Sequence, residues 1–75
     1  MDRPALMRYL RAKPFRPFRV WLNSGQHHDI KHPEMIRVGP DFALVFRGAT
    51  PEGEIEDYTT IDLLFIEQVE RRPAP

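Results

Sequence analysis

Two prolines, an apolar alternation and a glycine turn between Pro14 and Gly39 (PFRPFRVWLNSGQHHDIKHPEMIRVG) constrain this chain more than any other stretch. Phe18, Val20 and Leu22 alternate with Arg19 and Trp21, the period of a strand with one buried face. Asn23-Ser24-Gly25 is turn chemistry, because glycine takes the positive φ that a tight hairpin demands. From Gln26 to His32 the alternation is weaker, with His28, Ile30 and His32 on one side and His27, Asp29 and Lys31 on the other. Pro33 has no N–H to give a ladder and breaks or bends the run. The stretch reads as the opening hairpin of a small β-domain, a scaffold to which no catalytic constellation is attached.

The flanks extend the pattern. Asp2 can cap a helix and Pro4 fits its first turn, while Leu6 and Leu10 share a stripe, so a helix is predicted over about 3–12. Pro14 ends it and Pro17 keeps the connection extended. Met35 to Val38 is a further strand or the bent continuation of the second, and Gly39-Pro40-Asp41 is a turn. FALVFR (42–47) is nearly continuous apolar sequence, as expected of a strand buried on both faces or at a subunit contact. A polar loop over 48–53 leads to an outgoing strand around 55–61.

The tail IDLLFIEQVERR supports two periods. Ile61, Leu63 and Phe65 fit a strand, whereas Leu63, Ile66 and Val69 fit a helical face. A single tight turn at Leu63-Leu64, followed by a closing strand from Phe65 to Glu70, reconciles both. Residues 71–75 are expected to fray.

A chain of 75 residues makes one domain, 1–75, which buries only about 60 to 65% of its unfolded surface. With no cysteine it has neither disulfides nor thiolate metal sites to support it. No apolar run approaches the roughly 18 residues that cross a bilayer, and no secretion signal opens the chain, so a soluble, cytoplasmic protein without membrane contact is expected. The formal net charge is zero but unevenly spread. Arg3, Arg8, Arg11, Lys13, Arg16 and Arg19 face a single acid, Asp2, within the first twenty residues, whereas Glu52, Glu54, Glu56 and Asp57 form the densest acidic cluster.

A helix followed by five or six short antiparallel strands predicts a mainly β fold, a small SH3-like barrel with strands over about 17–70. The order of elements is also similar to the Sm-like fold. In detail the sequence resembles a set of short, uncharacterised bacterial proteins. The resemblance lies in the Pro-Phe-x-Pro-Phe-x-Val-x-Leu strand at Pro14 to Leu22, Gly25, the His-Pro-Glu step at His32 to Glu34, and the terminal run from Ile61 to Glu70. It implies the small barrel and carries no activity with it.

Candidate chemistry is sparse. His27, His28 and His32 with Asp29 and Glu34 are the only cluster of metal-ligand types, but on a strand His28 and His32 stand about 13 Å apart at roughly 3.3 Å per residue. No metal, cofactor or catalytic residue is assigned. Ser24 lacks a nucleophile elbow, the carboxylates from Glu52 to Asp57 are expected to be wet, and no phosphate-binding glycine pattern exists. The chain is therefore expected to be non-enzymatic.

What remains is binding. The basic segment could follow a phosphate backbone with Phe15 and Trp21 stacking on bases, the RNA-binding alternative suggested by the Sm-like order. The reading that explains more is a protein-binding or assembly module able to form a homo-oligomer, with Phe15, Arg16, Arg19 and Trp21 as contact residues and copies adding edge to edge through FALVF. Against it stands a monomer in which FALVF is a central strand and the N-terminal helix covers Trp21. Whether a small-molecule ligand binds is left open by the sequence.

Overall fold

In the computed structural model, which describes residues 1–72 and residue 49 by its backbone, Asp2 starts the helix as its sequence position suggests. Its carboxylate accepts the Ala5 N–H at 3.1 Å, satisfying one of the amides that a helix start leaves free. Helix α1 (Arg3–Leu10) ends two residues short of the expected limit, closed by the Arg11 N–H on the Met7 carbonyl. It is followed by β1 (Phe18–Leu22), β2 (His27–Ile30), a 3₁₀ turn at Pro33–Met35 and β3 (Ile36–Val38). Then come β4 (Phe42–Ala49), β5 (Ile55–Asp62), a second 3₁₀ turn at Leu63–Phe65, and β6 (Ile66–Arg71). Among the described residues no helix is long and apolar enough to cross a membrane.

The closed SH3-like or Sm-like barrel does not form. The six strands divide into two three-stranded antiparallel sheets, ordered β2-β1-β6 and β3-β4-β5, with no ladder joining them among the described residues. Alternation reports that a segment is extended and which side is apolar, but not which neighbour takes its hydrogen bonds. Here the two 3₁₀ turns decide that. The Pro33 turn, which takes in Met35, carries the chain from β2 to β3 in the other sheet, which also makes Ile36–Val38 a separate strand and not a continuation. At Leu63 the second turn carries it back, with Asp62 Oδ1 accepting the Leu64 N–H at 2.9 Å.

The tail resolves both of its periods. Leu22 pairs with Ile66 but Trp21 with Gln68, so Glu67 is the extra residue of a β-bulge. The bulge puts Ile66 and Val69 on the same face although they are three apart. Together with the 3₁₀ turn at Leu63 it reproduces helical spacing inside a strand. Nor does the chain fray at Arg71: β6 runs through it, and the Arg72 N–H reaches the Pro17 carbonyl at 3.0 Å. Of the tail expected to fray, residues 73–75 lie outside the described residues.

One apolar core fills the space between the sheets. Phe18, Val20, Ile30 and Ile66 come from the first sheet, Ile36, Ala43, Val45 and Ile61 from the second, Leu6 from the helix and Leu63 from the turn. Tyr9 and Phe15 pack on Phe18 with ring centroids 5.5 and 6.0 Å away. Two glycines are required by geometry. Gly25 has φ of 91° in the β1–β2 turn, and a Cβ on Gly39 would meet Phe42 Cε1 at 2.6 Å, because the Phe42 ring lies on that glycine.

Within α1, Leu6 is the residue that is fully buried. Leu6→Ala should cost about 2–5 kcal/mol, most of the margin of a domain this small. Urea denaturation followed by Trp21 fluorescence would read this as a lowered midpoint or loss of the cooperative transition.

Candidate functional site

The residues singled out for binding are not one cluster. Arg19 and Trp21 stand on the outer face of β1, opposite Asp29 and His27 of β2 and Glu70 and Gln68 of β6. Arg19 makes a bidentate pair with Asp29, Nε to Oδ1 at 2.6 Å and Nη2 to Oδ2 at 3.1 Å. This hydrogen-bonded pairing raises the Arg19 pKa and holds Asp29 below the usual carboxylate range. Trp21 is half-buried, with neighbours from its own sheet. His27 lies 4.7 Å from it, the Arg19 guanidinium 5.4 Å over its ring, and its Nε1–H points to Glu70 at 3.4 Å.

Phe15 takes a different place. It is half-buried against the core through Phe18 and does not stand beside Trp21 as an outward-facing contact residue. Arg16 is exposed in the linker, as are Arg3, Arg8, Arg11 and Lys13. The basic segment is thus divided, with Arg19 neutralised by Asp29 and the other five cations open to water.

Between the sheets, on the β2 side, lies an open cleft of about 730 Å³ lined among others by Leu22, His28, Met35, Arg47 and Thr59. His28 sits opposite Val20 and is half-buried. Arg47 is paired with Asp57 at 2.9 Å, and both side chains are largely exposed. Burial pushes the His28 pKa below its ordinary 6.5, with the positive charge of Arg47 acting in the same direction. Among the described residues no three His, Cys, Asp or Glu side chains converge as metal ligands.

Of the two readings of FALVFR, burial on both faces or a place at a subunit contact, the structure removes the first. FALVFR is buried on one face only: Ala43 and Val45 enter the core, while Phe42, Leu44 and Phe46 point the other way and none joins it. Opposite them on β5 stand Asp62, Thr60 and Tyr58, and opposite Leu44 on β3 stands Arg37. Partners across an antiparallel pair share a face. The result is an apolar row along β4, joined by Tyr58 at 61% exposure, with Arg37 on one flank and Asp62 and Glu56 on the other. The signal was present in the even-numbered apolar residues of the run, which a three-stranded sheet with a single buried face cannot absorb.

The depressed His28 pKa has a stability consequence whose sign is fixed. A folded state that binds its proton less tightly than the unfolded chain loses stability as pH falls below 6.5 and keeps it above. Lowering the pH from 7.5 through that window should lower the thermal midpoint, and His28→Gln should flatten this part of the profile, measured by circular dichroism. An unchanged slope in the variant would assign the dependence to other groups.

Comparison with known proteins finds no family model, no curated protein and no solved structure that matches this chain.

Proposed function

We propose that this chain is a non-enzymatic assembly module that associates with a second copy of itself through the outer face of β3, β4 and β5. The observation that carries this reading is the apolar row of Phe42, Leu44 and Phe46 with Tyr58, which faces away from the core. Phe42 and Tyr58 are exposed and Leu44 and Phe46 half-buried on this face, so covering it would add hydrophobic gain, and contiguous apolar surface of this kind marks contact sites.

The occupant is argued from charge. A partner surface for this row must be apolar at its centre, acidic where it meets Arg37 and basic where it meets Asp62 and Glu56. The face itself meets that description, since its cation and its acids lie on opposite flanks. Arg37 makes no ion pair among the described residues and is available to such a partner.

Three strands spaced at about 4.8 Å and eight residues at about 3.3 Å give a small face, so association in the micromolar range is expected and not a permanent dimer. Light scattering from about 1 to 300 μM should show the mass rising from 8.8 kDa toward twice that value. Phe46→Glu should hold it at the monomer mass with an unchanged far-ultraviolet spectrum, because Phe46 lies outside the core. A constant 8.8 kDa for the unmodified chain over the whole range would refute the proposal.

A further inference from the structure

We infer that the two copies meet across a two-fold axis running close to β4, which places Arg37 of each copy over the β5 row of the other, facing Thr60 with Tyr58 and Asp62 on either side. This pairing rests on the self-association proposed above and adds its geometry. Two sheets packed face to face lie about 10 Å apart with their strands inclined by roughly 30°, which leaves two ways to relate identical faces. A two-fold across the strands lays β3 over β3 and β5 over β5. Each Arg37 then sits on the cationic flank of its partner, and Glu56 and Asp62 sit on the acidic one.

A two-fold along the strands exchanges the flanks. The register puts Arg37 and Thr60 level with Leu44 on either side of it, and Tyr58 and Asp62 level with Phe46 and Phe42. Arg37 therefore lands opposite Thr60, within reach of the Tyr58 ring on one side and the Asp62 carboxylate on the other. A guanidinium gains from both, over a ring face and against a carboxylate. The β4 side chains lie on the axis, so Phe42, Leu44 and Phe46 meet their own counterparts. Such an interface is isologous and closes at two copies, which prevents the face from propagating into a fibre.

The absence of cysteine from the sequence makes the test direct. Leu44→Cys, Arg37→Cys and Thr60→Cys chains are treated with a short bifunctional maleimide at the concentration where the unmodified chain is dimeric. Leu44→Cys should link to itself, while Arg37→Cys and Thr60→Cys should link poorly alone and efficiently to each other when mixed. As a second measurement, Arg37→Glu should weaken association by about tenfold, an effect that shrinks as salt is raised. Self-linking of Arg37→Cys without the mixed product would overturn this axis. So would a dimer by light scattering that yields none of these links. A chain that remains monomeric throughout would instead remove the self-association on which the axis depends.

Discussion

Phe18 is the contact on which the rest of the molecule depends. Its ring is fully buried at the start of β1, with Tyr9 of the helix and Phe15 of the linker packed on it. Through that ring the helix, the proline-set connection and the first sheet become one body. The second sheet joins through Ile36, Ala43, Val45 and Ile61 in the same apolar cluster. No disulfide shares the task, and among the described residues no polar or charged one is buried, so hydrophobic burial between the two sheets supplies the fold's support.

Local elements were legible where side-chain chemistry acts on its own backbone. Asp2 caps the helix, Gly25 turns the first hairpin, and the tight turn before the last strand falls at Leu63. Pairing between elements was not legible to the same degree. The alternation of Phe18, Val20 and Leu22 is equally compatible with a ladder that closes into a barrel and one that stops at three strands. The decision lies in where two 3₁₀ turns redirect the chain, a property of φ and ψ at Pro33 and Leu63 that hydrophobic period does not encode. The bulge at Glu67 is a related case: an inserted residue in one strand turns a period of two into a spacing of three.

The binding residues show the same division. Arg19 and Trp21 were placed on an outer face by alternation, and they are there, but Asp29, His27 and Glu70 already engage them. Asp29 and His27 lie on the next strand and Glu70 on the last, and which of their residues face Arg19 and Trp21 could be known only once the register was known. FALVF posed the opposite problem. Its uniform apolarity suggested burial on both sides or a subunit contact, and only the sheet order shows that its even positions face away from the core.

The ring of Phe42 resting on Gly39 ties a turn to that outer surface. Any side chain at position 39 would have to displace an aromatic at the end of the β4 row, so a backbone constraint and the shape of an exterior patch are carried by one residue. A glycine that looks like mere punctuation between two strands is thus also a mould for the surface beside it. Tolerance to change at that position should follow the demands of whatever touches Phe42 as closely as those of the hairpin itself.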